Sequence, residues 1–179
     1  MSRARDLSSI PDGTGGLTLG GDLTLDTNGI YLGGTGSANY LDDYEEGTWT
    51  PEYVGTSGGE ATYQFRVGRY VKVGNQVTLF GQIQCGKNTL SGNIRLVGLP
   101  FTTTSLAELQ PSAHLYARRR WATSMDNFGG YFALNGNFIQ LHKSSTDSAD
   151  SVGVTDSDMT TRTFDNGNTL HISATYTTD

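Results

Sequence analysis

The side chains best suited to chemistry are His114, His142 and His171, Cys85, the carboxylates of Asp42, Asp43, Glu45 and Glu46, and the run Arg118-Arg119-Arg120-Trp121. A protein metal site needs histidines or carboxylates at separations that bring them onto one ion, such as H-x-x-x-H on a helix. The three histidines fall on three separate strand candidates and have no such partner. Cys85 is the single cysteine, which excludes an intrachain disulfide framework. It continues an apolar alternation with no histidine nearby, so a buried thiol is expected rather than a nucleophile. The four carboxylates could in principle supply a glycosidase pair, which needs carboxyl groups about 5–10 Å apart in a groove. Adjacent acids in a connector are expected instead to be solvated or cation-bound. Gly13-Thr-Gly-Gly16 and Gly33-Gly-Thr-Gly36 lack the Lys-Ser/Thr and the following helix of a phosphate cradle. No catalytic, cofactor or metal site is expected, and the chain reads as non-enzymatic.

Binding is a different matter. Arg118, Arg119, Arg120 and Trp121 combine cations with an aromatic, a patch able to contact anionic polysaccharide or an acidic protein surface. Strand alternation would send Arg118 and Arg120 one way and Arg119 the other, so one side could line a subunit interface. Phe128 and Tyr131, beside Gly129-Gly130, are suited either to stacking on sugar rings or to core packing.

The elements that must carry these groups are strands. Hydrophobic residues make up 35% and charged residues 17% of the 179 residues, with 24 glycines and four prolines. Low charge with abundant Gly and Thr disfavours long helices and favours strands joined by tight turns. Nine tyrosines and seven phenylalanines spread along the body argue against disorder. The net charge of −6 gives no global basic face for nucleic acid. No stretch approaches the roughly 20 apolar residues of a membrane span, and the first residues lack the apolar run of a signal peptide. Synthesis in a cytoplasm is expected.

Residues 1–15 read as a leader. From 16 to 38 the chain carries three apolar-x-apolar units, Leu17-Thr-Leu19, Leu23-Thr-Leu25 and Ile30-Tyr-Leu32, separated by glycine or Asn-Gly turns. Period-two alternation marks strands with one buried face. Hairpins this short are marginal alone, so other copies of the chain are expected to cover Leu17, Leu19, Leu23, Leu25, Ile30 and Leu32 in a homo-oligomeric stem. Gly33–Gly36 is expected to be a hinge, and residues 39–47 an acidic connector whose Tyr40, Leu41 and Tyr44 pack beneath a knob while its acids stay hydrated. From 48 to 179 the pattern predicts a β-sandwich. The strands expected are 48–54, 62–66, 69–73, 76–85, 93–98, 113–121, 130–134, 137–143, 159–164 and 169–177. Turns are expected at Asn75-Gln76 and Asn135-Gly-Asn137, one helical turn at 106–109, and a surface loop at 147–158.

The string Asn39-Tyr-Leu-Asp-Asp-Tyr-Glu-Glu-Gly-Thr-Trp-Thr-Pro51 resembles a segment common in tail-fibre and other virion-appendage proteins of tailed bacteriophages, notably marine and cyanobacterial ones. Met1-Ser-Arg-Ala-Arg-Asp-Leu7, the Leu-Thr-Leu units, Asn28–Gly34, Gly68–Asn75 and Gly98-Leu-Pro-Phe101 look like the same group, so the similarity touches most of the first 101 residues. The resemblance implies an all-β homotrimer: an N-terminal virion anchor bearing Arg3, Arg5 and Leu7, an intertwined β stem, and a jelly-roll-like knob. It implies a connector in which Tyr40, Asp42, Asp43, Tyr44 and Trp49 join stem to knob. The implied function is a structural fibre or spike on the virion, at the tail, neck or capsid, with itself and other virion proteins as partners and no cofactor. Two alternatives stand beside it: a capsid decoration protein that stabilises the head, and a tail adhesin that binds host surface polysaccharide. Neither nucleic acid nor membrane insertion is expected.

Overall fold

The computed structural model describes residues 29–106, 110–119, 121, 127–144, 152–161 and 167–179. The chain divides into two units, Met1–Asp42 and Asp43–Asp179.

In the first unit, β1 (Ile30–Tyr31) and β2 (Tyr40–Leu41) form an antiparallel hairpin. Gly33–Gly36, expected as a hinge, belongs to its loop, with Gly33 at φ +84° where glycine is at ease. Leu32 and Asn39 close the loop through a backbone and a side-chain hydrogen bond of 2.8 Å each. The Tyr31 and Tyr40 rings lie 4.9 Å apart, and the Gly29 amide donates to the Tyr40 hydroxyl at 2.8 Å.

The second unit is a single ten-stranded antiparallel sheet. Its strands are β3 (Tyr44–Trp49), β4 (Glu52–Gly55), β5 (Thr62–Val73), β6 (Gln76–Gly86), β7 (Ile94–Val97), β8 (Ser112–Arg119), β9 (Asn127–Phe132), β10 (Phe138–Ser144), β11 (Val152–Gly153) and β12 (Asn168–Thr177). The order is β3-β5-β6-β12-β8-β9-β10-β7-β4, with β11 beside β10. This order dictates the shape. Laid flat at about 4.8 Å per strand, β3 and β4 would stand almost 40 Å apart. Only Thr50 and Pro51 separate them in sequence, a span of at most about 11 Å. The sheet must therefore curl until its two ends meet.

The curl encloses one core. Val77, Leu79, Ile83 and Cys85 of β6 have no exposed surface, and Leu170, Ile172, Ala174 and Tyr176 of β12 lie beside them in a ten-residue register. Ile94, Leu96, Phe132, Ile139, Leu141 and Tyr53 close the opposite wall. Burying each such side chain is worth about 1.5–3 kcal/mol. The all-β expectation holds, while several boundaries shift. The stretch 44–47, expected within the connector, supplies the first four of the six residues of β3. The strands expected at 62–66 and 69–73 are one continuous strand, because Gly68 lets Trp49 lie against it instead of breaking it. The first hairpin turn is Gly74-Asn75, with Gly74 at φ +56°, and the second uses Asn135 at φ +48° as expected.

The expected surface loop at 147–158 is overturned where it is described. It contains β11, the fully buried Val154, and a 3-10 turn at Asp156–Asp158 whose Asp158 is 1% exposed. Residues 159–161, expected to open a strand, are irregular; the rest of that candidate and the helical turn at 107–109 lie outside the described residues.

Candidate functional site

The face most open to a partner is the outer surface of β3, β5, β6, β12 and β8. Its character follows from β5. A bulge at Gln64, between the pairs Tyr63↔Cys85 and Phe65↔Gln84, flips the alternation of everything after it. Arg66, Gly68, Tyr70 and Lys72 consequently share the inner side with Leu79 and Ile83, while Val67, Arg69, Val71 and Val73 face out. Val71 and Val73 do share a face, as their spacing indicates, but it is the solvent face.

The inward polar residues are each tied to a neighbouring side chain. Lys72 pairs with Asp43 and lies 5.5 Å from the Phe101 ring centre. Tyr70 donates to Glu45, which raises its phenol above the ordinary value. Arg66 stacks 4.4 Å over Tyr63 and reaches Glu52 at 3.4 Å. Asp43, just before β3, and Glu45 within it, both expected to stay hydrated, thus bond to β5. Tyr44, expected to pack beneath the knob, is 63% exposed and donates to Glu46 at 3.2 Å. The Glu46 charge also raises the Tyr44 phenol.

The outward residues leave apolar surface in water. Val67 is 59% exposed and Phe80 54%. They lie on adjacent strands at diagonal positions, Val67 paired with Gln82 and Phe80 with Arg69, within mutual reach across the sheet. A groove of about 470 Å³ runs between them, bordered by Thr48, Arg69 and Gln82 and floored by Trp49, Gly68 and Gly81. A second hollow of about 390 Å³ continues it past Glu46 and Val71. Trp49 seals the floor: it is buried, and its indole N–H donates to the Phe80 carbonyl at 3.1 Å. Trp49, placed by the resemblance in the connector, is the last residue of β3.

The other sequence candidates separate. Leu17, Leu19, Leu23, Leu25, Arg3, Arg5 and Leu7 lie outside the described residues. Ile30 and Leu32 are 38% and 54% exposed within the hairpin, and Tyr40 and Leu41 form β2. Asp42 ends that unit. The Arg118–Trp121 patch is not one surface. Leu170 pairs with Ala117 and Thr169 with Arg119, so Arg118 is the extra residue of a bulge and simple alternation fails there. Arg118 is exposed, whereas Trp121 turns to the core. Its indole donates to the Thr169 carbonyl at 3.3 Å, and its ring meets Phe128 at 5.0 Å and Tyr53 at 6.4 Å. Arg120 lies outside the described residues. His114, His142 and His171 sit on β8, β10 and β12. Cys85 is buried, and burial pushes its thiol up to about 12.

Sequence reading missed the polar clamps. Asn168 donates to the carbonyls of Cys85 and Thr160 at 3.0 Å each and accepts from the Thr160 amide at 2.9 Å. Asp158 holds Lys143 and accepts from the Thr155 amide at 2.9 Å. Asp156 accepts from Lys87 and from the Gly92 amide at 3.1 Å each, and these bonds lower its pKa. Only Thr155-Asp-Ser-Asp158, close to a capping-box pattern, signalled any of this.

Among the described residues no group of three or more His, Cys, Asp or Glu side chains is placed to hold a metal ion, and no helix is long and apolar enough to cross a membrane. Comparison with protein-family models, curated proteins and solved structures finds no match to this chain.

Proposed function

We propose that this chain is a non-enzymatic structural protein of a tailed-bacteriophage virion, assembled as a homotrimeric fibre or spike with a jelly-roll-like knob. The observation that carries the self-assembly is the apolar outer face at Val67 and Phe80. Surfaces of this kind mark contacts with other proteins. A second copy of the chain is the occupant that fits. Glu46 and Arg69 present opposite charges on the same face, so one copy can answer the other. Ile30, Tyr31 and Leu32 are also exposed, which suits a stem whose apolar side is covered by sibling chains. The virion assignment rests on the resemblance at 39–51 and its neighbours. It makes capsid, neck or tail proteins the further partners and the particle the destination.

Two experiments test the reading. Replacing Leu23 and Leu25 together by Asp should dissociate the oligomer; a variant with unchanged mass in solution would refute the stem. Electron microscopy of particles labelled with antibody against the chain should place it on the virion surface, and its absence from purified particles would overturn the assignment.

A further inference from the structure

The tip of the hairpin between β9 and β10 carries Asn135-Gly136, a pair with chemistry of its own. A glycine leaves the amide nitrogen after an asparagine unshielded, so that nitrogen can attack the asparagine side chain. The turn itself asks for these residues. Asn135 sits at φ +48°, a left-handed conformation that asparagine tolerates better than most side chains. Asn135 is exposed, so solvent base and water both reach it.

The fold holds this pair in an unreactive form by two independent means. The first is stereochemical. In the left-handed region ψ is positive, which sets the Gly136 nitrogen anti to the Asn135 Cβ across the Cα–C bond. A five-membered succinimide ring needs the two on the same side. The second is a clamp from a distant segment. Thr103, 1% exposed, accepts the Gly136 amide on its hydroxyl oxygen at 3.1 Å. That hydroxyl donates to the Ala133 carbonyl and, at 3.2 Å, to the Gly136 carbonyl, and the Thr103 amide donates to the same Gly136 oxygen at 2.9 Å. The Thr104 carbonyl accepts from the Asn135 amide at 3.1 Å, and the Thr104 amide is fixed to the Thr177 carbonyl at 2.7 Å. Gly136 is thus held at both its N–H and its C=O. Turning its nitrogen toward the Asn135 side chain breaks the bond to Thr103.

We infer that Asn135 is a site of spontaneous deamidation kept latent by Thr103, and that it reacts only when the contact between Thr103-Thr104 and the hairpin tip comes apart. In the open form the Gly136 nitrogen gives its proton to solvent base and bonds to the Asn135 Cγ. The Cγ–Nδ2 bond breaks, and ammonia leaves with a proton from water. A water molecule then opens the succinimide at either carbonyl, giving aspartate or isoaspartate at 135. The net change is one water consumed and one ammonia released, with no oxidant or reductant. The rate follows the population of the open form, as for other reactions that require local unfolding. Isoaspartate adds a methylene to the backbone of the turn and aspartate adds a negative charge, so either product marks a chain that has opened. This inference goes beyond the assembly reading and does not depend on it.

Peptide mass spectrometry of the full chain, aged in mildly alkaline buffer, tests it by following aspartate and isoaspartate at 135. The chain unfolded in urea should react at this position at least tenfold faster than the folded chain. Folded Thr103→Val should react about three- to tenfold faster than the unaltered chain, the worth of one hydrogen bond. Thr103→Ser keeps the hydroxyl and should match the unaltered chain. Asp158→Ala weakens the fold near the other end of β10 and should leave the rate at 135 unchanged. Hydrogen exchange gives a second reading without any substitution: the Gly136 amide should be protected despite its place at a hairpin tip. Equal rates in folded and unfolded chains, an unchanged rate in folded Thr103→Val, an equal acceleration by Asp158→Ala, or Gly136 exchange at the free-peptide rate would overturn the clamp.

Discussion

Gly68 and Trp49 compete for the same volume: a Cβ built on Gly68 would stand 2.3 Å from the indole Nε1. Trp49 also pairs with Gly68 in the ladder between β3 and β5, and Gly68 pairs with Gly81 of β6. The indole thus lies across two facing glycines and bonds to the carbonyl of Phe80, directly beneath the outer apolar face. Gly68→Ala should therefore destabilise the fold by about 1–3 kcal/mol, the usual cost of overpacking. Trp49→Leu should relieve part of that cost in the double variant, which a denaturant double-mutant cycle would measure. Strict additivity would disprove the contact.

Phe80 is expected to act on assembly and not on folding. Its side chain faces solvent, so Phe80→Asp should change the stability of the single chain by no more than about 0.5 kcal/mol. It should nevertheless lower the apparent mass in size-exclusion light scattering. A loss of stability with no change in mass would reverse this expectation.

Asp158 should be a stability hot spot, a buried carboxylate beside the core residue Met159. It is 1% exposed, holds Lys143 and caps Thr155. Asp158→Ala leaves a partly buried ammonium and an amide without their acceptor and should cost about 2 kcal/mol. Urea unfolding checks this; a change below 0.5 kcal/mol, the usual range of a surface substitution, would mean the segment 152–161 is not held through it.

Alkali should unfold the protein through its buried neutral acids. Burial pushes Cys85, Tyr63 and Tyr176 up to about 12 from ordinary values of 9.0 and 10.0. The unfolded chain releases these protons first, so their contribution is fully present below pH 9 and is lost as pH rises from 9 toward 12. Urea midpoints should fall steeply across that window, and Cys85→Ala should flatten its lower part. At the acid end the sign is opposite. Asp156 and Asp179 have lowered values, for Asp179 chiefly through the Thr104 hydroxyl. Their support is present above pH 3.8, the ordinary carboxylate value, and is lost as pH falls below it.

The fold class was legible because its signals are local. Alternation in β6 and β12 and the Asn135-Gly136 turn each need only a few neighbouring residues. The face presented by β5 was not legible, because one bulged residue, Gln64, inverts every later position without leaving a composition signal. The alternation expected through Arg118 and Arg119 was upset in the same way, by a bulge at Arg118. The pairings of Asp43 with Lys72 and of Asn168 with Cys85 were unreadable because the partners lie 29 and 83 residues apart.

Sedimentation equilibrium of the full chain tests the central claim most directly. A mass three times that of the 19.2 kDa chain, unchanged over a range of protein concentrations, is the predicted result. A single species of 19.2 kDa under the same conditions would contradict assembly through the leucine-bearing segment and the Val67–Phe80 face.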